Sequence, residues 1–353
     1  MSIRVLHAPT AVGGHPTGLA AAERALGVDS TVVTVDEPPY GYAVDRVLAP
    51  AGTRTAVREL RRWRTIAEAR GFDVVHFNFG SSLAPKYYGS AGRGGLYRWY
   101  ARLLEQRDLR LLRGRPLFVT FQGDDVRPSG DSEQDALKRR RAERFADAAD
   151  GLYVLNPDLL QHVTRAQFLP YASVDPREWT PTPAPGGGTL RVVHAPSDRS
   201  RKGTMAVVSA VERLRSEGLD VELELVEGKP RAEARKAYER ADVLVDQLVV
   251  GWYGGVAVEA MALAKPVVAR LDRAALARVP GRMREELPVV DADATSLTDT
   301  LRLLATERRA ALGELGRRGR AFVERWHDPI TIAERVVGDY ERALARRRTG
   351  GAD

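Results

Sequence analysis

Short apolar runs separated by amphipathic stretches recur along the whole chain, and this alternation restricts the fold more than any other property. The runs at 3–7, 30–35, 74–77, 117–121 and 151–155 read as strands, and the theme returns at 190–194, 221–226, 243–246 and 266–269. Helical periodicity fills the spaces between them, at 56–69, 98–112, 134–148, 205–217 and 232–240. Strands that alternate with helices of about 10–15 residues build parallel, doubly wound sheets. The fold class is therefore α/β.

At 180–188 the chain reads Thr-Pro-Thr-Pro-Ala-Pro-Gly-Gly-Gly, a mixture that fits neither a helix nor a central strand. A fresh strand follows at once. The two halves also echo each other: Leu6-His7-Ala8-Pro9-Thr10 resembles Val193-His194-Ala195-Pro196-Ser197, each a strand running into a loop. A length of 353 residues suits two domains. The expected division is a Rossmann-like domain at 1–180, a linker at 181–188, a second Rossmann-like domain at 189–326, and a helix within 327–353 that crosses back to the first. Ligands of such sheets bind at the carboxyl ends of the strands, so a cleft between two facing sheets is the expected active site.

Hydrophobic residues make up 44% of the chain, enough for full cores. No apolar run approaches the roughly 18 residues that a membrane span needs. Cysteine is absent, which excludes disulfides and thiolate chemistry. The first residues enter a strand without a charged-then-apolar leader, so a cytoplasmic location is expected. The formal net charge is +7, and two basic runs stand out, at 58–64 and 138–141. Both read as solvated helix faces. No aromatic interleaving accompanies them, so nucleic acid is not an expected partner. Helix 56–69, with Trp63 among arginines, also suits peripheral contact with the inner membrane surface and a membrane-borne acceptor.

The chemistry concentrates in loops that precede helices. Gly251-Trp252-Tyr253-Gly254-Gly255-Val256 leads into a helix that carries Glu259 in its first turns. Backbone amides of a glycine turn and the positive end of a helix hold anions, and a following carboxylate can bind the hydroxyls of a ribose. Arg199 and Lys202, in the loop after strand 190–194, can neutralise a diphosphate and stabilise charge on a departing oxygen. Gly13, Gly14 and His15 follow the first strand. Gln122, Asp124 and Asp125 end the strand at 117–121, where one carboxylate can take up a hydroxyl proton. His76 lies near another strand end, and Asp246-Gln247 directly precedes the glycine turn. Two adjacent aspartates without further ligands do not make a metal site.

Together these segments resemble a family-4 glycosyltransferase of the GT-B fold, most closely over 192–269. The resemblance rests on Lys202-Gly203, on Tyr238-Glu239-Arg240-Ala241-Asp242-Val243, and on the run from Gly254 to Val268. It extends to Ala149-Asp150-Gly151 and to Leu169-Pro170-Tyr171 through Asp175. It implies retaining transfer of a sugar from a nucleotide diphosphate, with no cofactor and no metal. On that footing Glu259 holds the ribose, Lys202 and Arg199 the diphosphate, and the Gly254–Val256 amides the phosphate and sugar. Tyr253, Gly13 and Gly14 complete the donor side, Asp124 is the candidate acid/base, and His15, His76, Gln122 and Asp125 face the acceptor. The acceptor class spans glycans, lipid carriers and small molecules.

Three positions depart from the family pattern. A sugar-contacting glutamate is replaced by Gly251, an arginine by Pro196, and a histidine near the end of the fourth strand by Gln122. These mark a divergent subgroup. A nucleotide-sugar epimerase and a non-catalytic nucleotide-sugar or glycan binder are the competing readings.

Overall fold

The computed structural model describes residues 2–87, 94–182, 188–307 and 309–349. The chain up to Ser173 and the segment after Pro329 form one compact unit, and Val174–Asp328 form another.

The first unit is built on seven parallel strands: β1 (Arg4–Ala8), β2 (Asp29–Thr34), β3 (Arg46–Val47), β4 (Val74–Asn78), β5 (Leu117–Phe121), β6 (Gly151–Val154) and β7 (Gln167–Phe168). Their order is β3-β2-β1-β4-β5-β6-β7. Every residue of β4 and β5 is buried, as a sheet covered by helices on both faces requires. Its helices are α1 (His15–Ala25), α2 (Thr55–Ala69), α3 (Gly95–Leu104), α4 (Asp108–Leu111) and α5 (Ser132–Ala148). Phe145 of α5 packs with Phe77 and Phe121 in the core. The helix expected at 98–112 is two helices. Gln106 takes φ +59° between them, a left-handed conformation that an α-helix cannot carry. Asp131 accepts from the amides of Glu133 and Gln134 and so starts α5 two residues ahead of the expected position.

Trp63 of α2 turns inward, against the expectation that it faces a membrane. It packs against the core, and its indole N–H donates to Tyr100 Oη at 2.6 Å. The basic runs are also largely consumed. Arg62 donates to the Leu83 carbonyl, Lys138 to the Arg127 carbonyl, and Arg141 reaches Glu105 at 3.1 Å.

The second unit carries five parallel strands: β8 (Leu190–His194), β9 (Val221–Leu225), β10 (Val243–Val245), β11 (Val267–Ala269) and β12 (Val290–Asp291), in the order β12-β11-β10-β8-β9. Its helices are α6 (Arg199–Lys202), α7 (Thr204–Ser216), α8 (Arg231–Arg240), α9 (Gly255–Ala262), α10 (Arg273–Leu276), α11 (Gly281–Glu286), α12 (Leu297–Ala305) and α13 (Leu312–Trp326). Buried on nearly all sides, α9 packs against α13. The last helix, α14 (Pro329–Thr349), belongs to the first unit, where it lies along α1.

The change of unit falls at Ser173 rather than 180. Arg320 donates to the Pro176 carbonyl at 2.7 Å, and the Thr182 amide donates to the Leu263 carbonyl at 2.9 Å, so 174–182 is held by the second unit. Residues 183–187 of the expected linker lie outside the described residues. Among the described residues no helix is long and apolar enough to cross a membrane.

Candidate functional site

Each sheet reverses its strand order once, between β1 and β4 in the first unit and between β8 and β10 in the second. The carboxyl ends of strands at such a reversal are where open α/β sheets bind ligands. Most of the candidate loop residues follow strands at or beside this reversal in each unit.

In the second unit, β8 ends at His194, whose buried ring bridges the Val245 carbonyl (2.8 Å) and Thr204 Oγ1 (3.0 Å). Asp198 then caps α6 by accepting from the Arg201 amide at 2.9 Å. Gly203 stops that helix at φ +75°. This short turn delivers Lys202 to Asp246, the first residue after β10. Lys202 Nζ lies 2.6 Å from Asp246 Oδ1, and the Gly254 amide donates to Asp246 Oδ2 at 2.5 Å. A Cβ built on Gly254 would stand 3.3 Å from both Lys202 Nζ and Asp246 Oδ2. Three chain segments thus meet at one buried carboxylate, beside the N-terminus of α9.

Glu259, in the second turn of α9, is buried and receives Arg231 Nε at 2.6 Å. Burial raises its pKa, and the Arg231 charge works against that rise. Arg231 and Arg235 lie over the Trp179 ring, at 5.2 and 4.5 Å from its centroid. Tyr253 is buried, its hydroxyl 2.9 Å from His327 Nε2, so it supports the loop from beneath. Arg199 turns to Glu227 in a bidentate pair at 2.8 and 2.5 Å; it does not join Lys202. A Cβ on Gly251 would clash with Asp272 Cβ, and the Gly251 carbonyl accepts from the Asp272 amide at 2.9 Å. The loop is closed down on the start of α10, which explains why a side chain is absent at 251.

In the first unit, Gly13 and Gly14 take φ +64° and +70° ahead of α1. A Cβ on Gly13 would approach Gln122 Oε1 at 3.9 Å, so the loops after β1 and β5 are neighbours. Asp125 is buried and accepts from the amides of Gln122 (3.0 Å) and Gly123 (2.7 Å). Burial raises its pKa while those amides lower it, and its role is to shape the turn. Asp124 points outward, its side chain 44% exposed and 3.6 Å from Arg127. Lys86, which the sequence does not single out, donates to Ser81 Oγ at 3.2 Å near Asp125. Burial brings its pKa down to about 8.

Both acceptor-side histidines are interior residues. His15 is fully buried, and its Nδ1 accepts from the Ala172 amide at 3.0 Å. His76 is mid-strand in β4, with Nε2 2.7 Å from Thr120 Oγ1 and Nδ1 2.5 Å from Tyr340 Oη. Tyr340 of α14 donates to Glu23 at 3.1 Å, and Glu23 lies 2.8 Å from His7 Nε2. Burial depresses the His76 pKa well below the usual imidazole range. This polar chain ties α14 and α1 to the sheet; a strand position whose side chain points to a covered face cannot reach the strand's end. Among the described residues no group of three His, Asp or Glu is placed to hold a metal ion.

The asparate partner of Lys202 is what sequence reasoning left without a role. Its place directly after an apolar strand at the reversal was the available signal.

Residues 11–178 match the family described as Glycosyl transferase 4-like domain. No curated protein matches the sequence. The sucrose-phosphate synthase from Thermosynechococcus elongatus is similar in structure at a TM-score of 0.63, over 98% of this chain and 100% of that one, with 18% identity. HepE of Anabaena, solved with UDP-glucose, reaches 0.63 over 97% and 100% at 12% identity. An alpha-glucosyltransferase solved with UDP and a 13-mer DNA containing a HMU base reaches 0.62 over 97% and 100% at 11% identity.

Proposed function

We propose, from the match of residues 11–178 to the glycosyl transferase 4-like domain and from the GT-B fold, that the chain is a retaining glycosyltransferase that uses a nucleotide-diphosphate sugar. The observation that supports this most is the meeting of Lys202, Asp246 and the Gly254 amide at the start of α9. A lysine ammonium has three N–H donors, and Asp246 orients it while using one. The amides of the first turn of α9 add donors and the positive end of the helix dipole. A diphosphate placed there meets a fixed cation and fixed dipoles, which stabilise charge most where it develops on the leaving oxygen.

Glu259 is the proposed partner of the ribose hydroxyls, with Arg231 fixing one of its oxygens. In the transfer, the bond from the anomeric carbon to the diphosphate oxygen breaks and the acceptor oxygen bonds to the same face. The acceptor's proton passes to the departing diphosphate, so no strong separate base is needed. Asp124, the exposed carboxylate at the end of β5, is the proposed acceptor-side residue. The reaction as proposed uses no metal and no cofactor. Uridine diphosphate sugars are the first donors to test, since HepE and the alpha-glucosyltransferase were solved with UDP-glucose and UDP. Glycans, lipid carriers and small molecules remain the acceptor classes.

Calorimetry with UDP, GDP and dTDP on wild type and Glu259→Ala tests the donor site. One nucleotide binding best, with a loss of about 1–3 kcal/mol in the variant from unmade charged hydrogen bonds, supports it. Equal binding by the variant, or no binding at all, removes it. The anomeric configuration of the product, read by NMR, decides between retention and inversion. Conversion of the donor sugar with no acceptor present would favour the epimerase reading.

A further inference from the structure

Far from the strand carboxyl ends, the first unit carries a cavity of about 640 Å³ lined largely by arginines. Its walls come from α3, α4, the end of α5 and α14, and include Arg102, Arg107, Arg110, Arg113 and Arg144. Arg113 stands just before β5 and Asp147 just before β6, so the cavity opens at the amino ends of these strands. It is separate from the loops that follow β1, β4 and β5. These five arginines are exposed, and among the described residues none of them forms an ion pair. Other arginines of this unit are matched to carboxylates, among them Arg58–Asp36, Arg64–Glu68 and Arg342–Asp339. Here only Glu105 and Asp147 offset the charge, and Glu105 is already taken by Arg141 at 3.1 Å.

An apolar stripe borders this basic cavity. On α3, Leu96, Trp99 and Leu103 are 83%, 63% and 48% exposed, and Leu111 of α4 is 54% exposed. The spacing of the first three, at i, i+3 and i+7, places them on one face of the helix. The opposite face holds the helix down: Tyr97 and Tyr100 donate to Glu59 at 3.0 and 3.2 Å, and Ala101 is fully buried. Leu103 lies on the stripe and also lines the cavity, so the two features are continuous. Exposing a leucine–tryptophan stripe beside arginines that have no carboxylate partner does nothing for the stability of the folded unit itself. It suits a surface that supplies an apolar layer under a sheet of negative charge.

We propose that the α3–α4 face of the first unit docks on an anionic lipid bilayer. Leu96, Trp99 and Leu103 enter the headgroup–acyl boundary, and the unpaired arginines take lipid phosphates. An amphipathic helix with leucine and tryptophan on one side and arginines beside it lies in a membrane interface in this way, and long arginine stems reach past apolar neighbours to the headgroups. Charge complementarity favours acidic lipids over neutral ones. The proposal does not depend on the donor reading, since it uses no residue of that site.

Co-sedimentation of the full chain with phosphatidylcholine vesicles, with and without phosphatidylglycerol, tests it. Binding is expected only with the anionic lipid. Arg107→Glu with Arg110→Glu is expected to lower the partition coefficient by at least about 25-fold, from about fivefold per arginine contact. Leu96→Glu with Trp99→Glu is expected to lower it by about tenfold or more. Both variants should keep the wild-type Tm and nucleotide binding, which separates this result from a failure of the donor site. Arg273→Glu with Arg278→Glu makes the same charge change in the second unit and should bind vesicles like wild type. Equal loss in that control, equal binding to neutral vesicles, or no binding overturns the proposal. So does binding to free duplex DNA as tight as to anionic vesicles, or a stripe variant that changes only the sedimentation coefficient, which would assign the face to a second copy of the chain.

Discussion

Gly13-Gly14 leads into α1 in the first unit much as Gly254-Gly255 opens α9 in the second, and each follows a strand at the reversal point of its sheet. The first pair is in left-handed backbone, and Gly14 is pressed against the Tyr42 ring. The histidine that follows it is buried on the Ala172 amide. Gly254 has ordinary extended backbone (φ −107°), and its neighbours are charges, Lys202 Nζ and the Asp246 carboxylate. One glycine pair is there for shape. The other is there because a side chain would intrude on a polar meeting point. Glycine spacing in a sequence does not distinguish these two uses; what stands within 4 Å of the missing Cβ does.

The largest effect that separates them is on turnover. Lys202→Met should lower the transfer rate by about 10²–10³, the usual cost of one charge-stabilising donor. His15→Ala, in the first unit, should act mainly through stability, because His15 is an interior residue. Steady-state rates together with Tm for both variants check this. A Lys202→Met enzyme within threefold of wild type would remove the functional half of the comparison.

Next in size is a pair of alanine substitutions. Gly14→Ala should destabilise the protein by about 2–4 kcal/mol, from the left-handed backbone and the clash with Tyr42. Gly254→Ala should cost under about 1 kcal/mol, because its backbone suits any residue and its Cβ meets only the ends of two side chains at 3.3 Å. Its donor affinity should nevertheless fall. Urea unfolding and nucleotide calorimetry on the two variants should rank them in opposite orders.

How far the sequence revealed these differences depends on the distance between the parts. The long strands follow from apolar runs, and the glycine loop, Lys202 and Glu259 follow from local patterns. The two-residue strands β3, β7 and β12 are too short to show a period, and the left-handed Gln106 gives no sign within helix 98–112. Pairing is the part that stays hidden. Lys202 and Asp246 are 44 residues apart, and nothing near Arg199 indicates that Glu227 claims it. The five arginines without an ion pair come from three helices, the turn before α4 and the loop before β5, so they form no run. The two basic runs that do stand out are largely spent on carbonyls and carboxylates.

A smaller effect concerns Glu259. Its pKa is raised by burial, so the carboxylate that would hold a ribose protonates at a higher pH than an exposed glutamate. Donor affinity should therefore weaken as pH falls through that raised value. Glu259→Gln should bind more weakly at neutral pH and lose this part of the pH dependence. Titrations at several pH values decide it, and a wild-type affinity flat across the acid range would count against the ribose role.

Each unit holds one lysine whose charge is disfavoured by burial. Burial lowers Lys86 and Lys265 from 10.5 to about 8. Lys86 sits beside Asp125 and the loops of the first unit, with Glu105 also raising its pKa and Arg141 and Lys138 lowering it. Lys265 leads into β11, 1% exposed, with Asp242 and Glu239 raising its pKa. Between pH 8 and 10.5 the unfolded chain binds more protons at each lysine than the folded one, so stability from this source rises with pH across that window. Below pH 8 each charged lysine carries a constant burial cost. Replacing either by methionine should therefore raise Tm at pH 7, by an amount that shrinks as the pH approaches 10. The two variants should part company in function: Lys265→Met should leave transfer unchanged, whereas Lys86→Met removes a cation from the loops that end β4 and β5. If both variants gain stability and neither alters turnover, Lys86 is a buried lysine of the same kind as Lys265, and the first unit's loops work without its charge.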